Sequence, residues 1–161
     1  MSNTVYLYIT DESVFPATLA GTDAEKYQWL VKKVTTQCSR WETLELNEVG
    51  YINALEAIGE LVGSKKFFAV LSYNNSPNNC LGNAPSIDGS FGYFNPKMVK
   101  DGLSVLQDIE NDVANFSNRC ESIVAASSSL NRDTLEYVFY RYLSAFQEAA
   151  AHEYAVTVIH E

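Results

Sequence analysis

The chain has 161 residues, 47% of them hydrophobic and 12% aromatic, which suits one folded domain with a real core and excludes a disordered polypeptide. Its formal net charge of −9 excludes unassisted binding to nucleic acid or to an anionic membrane, because either partner would be repelled. The charge is unevenly placed: residues 41–63 carry five acids and no base, residues 64–100 carry four lysines against Asp88 alone, and residues 101–161 carry ten acids against Arg119, Arg132 and Arg141.

Residues 4–10 (TVYLYIT), β-branched and aromatic, read as the first strand. Asp11 is placed to cap a short helix ending near Gly21. Thr22 and Glu25 have the spacing of a capping box, and Tyr27, Leu30, Val31 and Val34 recur behind it at helical spacing to about Gln37. Residues 41–46 read as a short strand. Asn47 is placed to cap a second helix with Ile52, Leu55, Ile58 and Val62 on one face and Gly63 at its end. Residues 67–73 (FFAVLSY) are the most apolar run and read as a central strand. Residues 74–93 are dominated by Asn, Pro, Gly and Ser and read as a long loop, a length that is often functional in a compact domain.

Asn95 and Pro96 supply a cap and a first-turn proline for a long helix with Val99, Leu103, Leu106, Ile109 and Val113 inward. Residues 117–132 read as a short helix and a serine-rich turn. Residues 133–152 form the strongest helical pattern, with Leu135, Val138, Tyr142, Phe146 and Ala149 inward, and residues 154–160 close the chain as a strand. Helices and short strands mix without regular βαβ alternation. The expectation is a single α+β domain over 1–161, a small mixed sheet of about four strands packed against several helices.

Three stretches carry a family resemblance: INALEAIGELVG at 52–63, FGYFNPKMVKDGLSVL at 91–106 and YLSAFQEAAAHEYAVTVI at 142–159. In this order they resemble the YfbM-like family, small bacterial proteins described as a domain of unknown function. The chain departs from the family around Asn53 and Ala54, where a tryptophan and a histidine are often expected, so a family site there would be lost. The resemblance implies a fold class more than an activity. Members of such families, like other small acidic proteins, also occur as immunity proteins beside bacterial toxins.

No catalytic or metal-binding constellation emerges from the residue patterns. Cys38, Cys80 and Cys120 are odd in number and form no CxxC pair, which reads as free thiols in a reduced compartment. His152 and His160 lack identifiable co-ligands, no GxSxG is present, and the loop glycines match no phosphate-binding pattern. No basic segment followed by an apolar run opens the sequence and no apolar run approaches a membrane span, so the expectation is a cytoplasmic protein without cofactor or metal.

The sharpest candidate is acidic. Asp101, Asp108 and Asp112 fall within about 40° of one another on a helix of 3.6 residues per turn, away from its apolar stripe. Glu56 and Glu60 form a like-charged i,i+4 pair on the preceding helix, a local cost that a basic partner would offset. Phe91 and Tyr93 are candidate aromatic anchors beside them. These seven residues fit an immunity or inhibitor protein that occludes a basic protein such as a toxin domain. A phage-encoded inhibitor of a bacterial defence protein fits the same physics. The alternative is a small enzyme or ligand-binding domain with a pocket under the 74–93 loop, and the reading leaves a homodimer open.

Overall fold

Alternation along the first strand sets the architecture. In β1 (Ser2–Thr10), Val5, Leu7 and Ile9 enter one hydrophobic core, whereas Tyr8 enters a second core on the opposite face. Successive strand side chains point to opposite faces, so a strand apolar in both phases must be covered on both. The computed structural model, which describes residues 2–61, 91–126 and 130–161, meets that demand with an α+β fold of one four-stranded sheet between helical layers.

The strands run in the order β2-β1-β4-β3, where β2 is Ser39–Asn47, β3 is Phe91–Phe94 and β4 is Ala155–His160. Every pair is antiparallel, where a mixed sheet was expected. The pattern of β2 accounts for this: Leu44 is buried between exposed Thr43 and Glu45, the alternation of an antiparallel strand with one open face. The run 67–73, expected as a central strand, lies outside the described residues, as do Val62, Gly63 and positions 74–90. Residues 91–93, expected to finish the loop, instead begin β3. Four residues after a Gly- and Asn-rich stretch are too few to display a strand period.

Local chemistry fixes the helix ends. Helix α1 (Asp23–Gln37) opens on the expected capping box: Glu25 N–H donates to Thr22 Oγ1 at 3.2 Å, and Thr22 N–H donates to Glu25 Oε2 at 2.7 Å. Before it, Asp11 caps only a 3₁₀ turn at Glu12–Val14, shorter than the helix expected to reach Gly21. Helix α2 (Glu48–Leu61) follows β2 directly. Helix α3 (Pro96–Asn111) is capped by Asn95, whose side chain accepts from Met98 N–H at 2.9 Å. It stops at Asn111, so Val113 opens a separate helix, α4 (Val113–Ala126), rather than extending the α3 stripe.

The last helix, α5 (Arg132–Ala151), is the centre of the larger core and packs on α2, α3 and the sheet. Leu135, Val138, Tyr142, Phe146 and Ala149 are all buried, as their spacing demanded. Its end is a Schellman turn: Tyr154 N–H reaches Ala149 O at 2.8 Å and Glu153 N–H reaches Ala150 O at 3.2 Å, with Glu153 in the left-handed region at φ 59°. That turn delivers the chain into β4. Helix α1 covers the other face through Leu30 and Val34. Among the described residues no helix is long and apolar enough to cross a membrane.

Candidate functional site

Burial on one side of a helix decides what the other side offers. Helix α2 buries Ala54, Leu55, Ala57, Ile58 and Leu61 and leaves Glu56 and Glu60 exposed. Helix α3 buries Val99, Gly102, Leu106 and Ile109 and leaves Asp101 and Asp108 exposed. Asp112 follows the last residue of α3. Its carboxylate accepts from Asn115 Nδ2 at 2.7 Å, and its carbonyl accepts from Phe116 N–H at 2.8 Å, so it joins α3 to α4.

Where α3, α4 and the end of α2 meet there is a cleft of about 380 Å³. Asp108, Asp112 and Asn115 supply polar wall, and Val105, Ile109 and Phe116 supply apolar surface. A depression of about 310 Å³ shares Arg119 with this cleft and is bordered by Glu60, and one of about 130 Å³ between α2 and α4 is bordered by Glu56 and Glu60. Four of the seven candidate residues therefore border adjoining hollows of one helical surface. Asp101, a heptad before Asp108, is exposed but borders none of the three.

Among the described residues, Arg119 is the only base bordering these hollows. Its Nη2 donates to the carbonyl oxygen of Leu61 and lies 3.4 Å from that of Glu60. Both carbonyls belong to the last described turn of α2. The guanidinium is thus engaged at a helix end, and among the described residues Glu56, Asp101 and Asp108 make no ion pair. Carboxylates around an apolar floor suit the alkyl stem and cationic head of a lysine or arginine side chain.

The aromatic anchors require correction. Tyr93 is only 3% exposed, because β3 pairs with β4 and directs its ring into the smaller core against Phe15, centroids 6.2 Å apart. Its hydroxyl donates to the Glu12 carboxylate. Phe91 lies at the start of β3, and its side chain is outside the described residues. The exposed apolar group at the acidic cleft is instead Val105, 40% exposed on α3. Arg119, Asn115 and Val105 escaped the sequence reading. The one available signal was Arg119 itself, one of three arginines against ten acids in residues 101–161.

No competing chemistry assembles elsewhere among the described residues. No group of three His, Cys, Asp or Glu side chains there could hold a metal ion. Burial pushes the thiols of Cys38 and Cys120 up, which keeps them protonated and poorly nucleophilic near neutral pH. Cys80 and the pocket expected beneath the 74–93 loop fall outside the described residues, save for 91–93 in β3.

No family model, curated protein or solved structure matches this chain. The YfbM-like resemblance therefore rests on its three sequence stretches, whose described residues fall on α2, on β3 with the first turns of α3, and on the end of α5 with β4.

Proposed function

We propose that this protein is an inhibitor of the immunity type, acting in the cytoplasm, that binds a basic protein partner such as a bacterial toxin domain and occludes it. The observation that supports this reading is the gathering of Asp108, Asp112, Glu60 and Glu56 around adjoining hollows where, among the described residues, the one base, Arg119, is engaged by α2. Exposed like charges held on rigid helices repel one another until a cationic surface arrives. They steer such a surface in long before contact and raise the association rate. On contact, a lysine or arginine stem would pack on Val105 and Phe116 while its head pairs with Asp108 and Asp112. A phage-encoded inhibitor of a bacterial defence protein would use the same face, its carboxylates standing where phosphates would.

The test is capture on the immobilised chain from host lysate at low and at moderate salt, beside the variant Asp108→Lys/Asp112→Lys. One basic protein, recovered in stoichiometric amount, weakened by salt and lost on the variant, is the expected result. Equal recovery by wild type and variant would remove this face from consideration.

A further inference from the structure

We propose that two copies of this chain pair through the outer edge of β2, about a two-fold axis at Thr43, to form one continuous antiparallel sheet. This surface uses none of the carboxylates on α2 or α3 and stands independently of the inhibitor reading.

The direction of the backbone groups comes first. Thr4 and Glu161 exchange two main-chain hydrogen bonds of 2.9 Å each, so Thr4 faces β4. Hydrogen-bonding direction alternates along a strand, so Val5 and Leu7 face β2 and exchange with Leu44 and Glu42. The intervening Thr43 and Glu45 then direct their N–H and C=O groups away from the sheet. Strand β2 is nine residues long and, among the described residues, is an edge of the order β2-β1-β4-β3. Among the described residues the only bond to these outward groups comes from the Tyr137 hydroxyl, 3.3 Å from the Thr43 carbonyl, which keeps a second lone pair.

A bare edge is usually defended by charge and by bulges, and β2 has both. The register steps from Glu42 opposite Leu7 to Arg40 opposite Tyr8, so Trp41 is the extra residue of a bulge. The defence is self-complementary, however. Opposite residues share a face, so Arg40, Thr43 and Glu45, opposite Tyr8, Tyr6 and Thr4, all lie on the side of the sheet that α1 covers. All three are exposed, and neither Arg40 nor Glu45 has an ion-pair partner among the described residues. The Arg40 guanidinium lies over the Tyr6 ring, 5.0 Å from its centroid.

Charge selects the register and the occupant. With Glu45 on the axis, two carboxylates would stand face to face, which is destabilising. With Thr43 on the axis, each Glu45 meets the bulged position of the second copy, where Arg40 is the residue on that face. Two Arg40–Glu45 pairs then form by symmetry, and the two threonines exchange main-chain bonds at the centre. The hydrogen bonds carry the association, while the exposed ion pairs fix its register.

Sedimentation equilibrium of the full chain tests this with a charge swap. Wild type is expected to dimerise at concentrations up to about 100 μM. Arg40→Glu and Glu45→Lys, each placing like charges opposite twice over, should each weaken the dimer by about tenfold. The double variant Arg40→Glu/Glu45→Lys should restore it. Circular dichroism checks that the variants fold. On wild type, the amides of Thr43 and Glu45 should exchange more slowly in concentrated than in dilute solution. A monomer throughout, a dimer indifferent to the swap, or amides unprotected on dimerisation would each overturn the proposal.

Discussion

The Arg119 guanidinium, from the middle of α4, donates to the carbonyl oxygen of Leu61, the last residue of α2. One side chain thereby ties α4 to α2 and places a positive charge in the acidic surface. Replacing it separates the two effects. Arg119→Gln should cost about 1 kcal/mol in urea unfolding, because a charge-assisted bond to a helix carbonyl is lost. The same change removes a positive charge from the hollows, so a cationic partner should associate faster at low salt. Slower association would make Arg119 itself a contact.

Helices with long stripes were legible in the sequence. The inward set of α5 and the Thr22–Glu25 box depend on residues within a few turns, and both are found as read. Tyr93 was misread because its burial depends on a four-residue strand pairing with β4, more than sixty positions away in the chain. The role of Arg119 depends on where the end of α2 meets α4, which no local pattern encodes. Asp112 reaches the cleft for a reason other than the one expected. It does not continue the α3 face but turns the chain into α4, which brings its carboxylate beside Asn115.

The hydroxyls of Thr10 and Thr157 meet at 3.0 Å and both residues are fully buried. Their exchange with valine should be strongly non-additive. Thr157→Val alone should cost about 1–3 kcal/mol, since it strips a buried hydroxyl of its close partner and leaves Thr10 a 3.4 Å approach to the Tyr8 carbonyl and its contact with the Cys38 thiol. The double variant Thr10→Val/Thr157→Val should lie closer to wild type, because the desolvated pair is removed as a unit. A denaturation cycle over the four proteins measures the coupling, and simple additivity would contradict the account.

Glu153 carries a side chain at φ 59°, the position in a Schellman turn where glycine is preferred. Its carboxylate pairs with Lys100 at 3.0 Å, with 52% and 78% of the two side chains exposed. An exposed pair of this kind contributes a few tenths of a kcal/mol, whereas the left-handed backbone costs a side chain about 1 kcal/mol. Glu153→Gly should therefore raise the unfolding temperature despite losing the ion pair. Lys100→Ala, which removes the pair and keeps the strain, should leave that temperature nearly unchanged or slightly lower.

Alkaline pH tests the buried thiols. Burial pushes Cys38 and Cys120 above the ordinary thiol value of 9.0, and it pushes Tyr8 and Tyr140 above the phenol value of 10.0. Below 9.0 folded and unfolded chains both hold their thiol protons, and these groups leave stability unaffected. Above it the unfolded chain releases protons that the fold retains. The unfolded state then binds fewer protons, and stability falls as pH rises. The decline should begin near pH 9, steepen above pH 10 as the tyrosines join, and be reversible on return to neutrality. In Cys38→Ala/Cys120→Ala the absolute stability should drop, since the Cys120 side chain fills core volume, but the slope between pH 9 and 10 should flatten. Urea titrations at closely spaced pH values read that slope directly. An equally steep slope without the thiols would assign the alkaline loss to other groups.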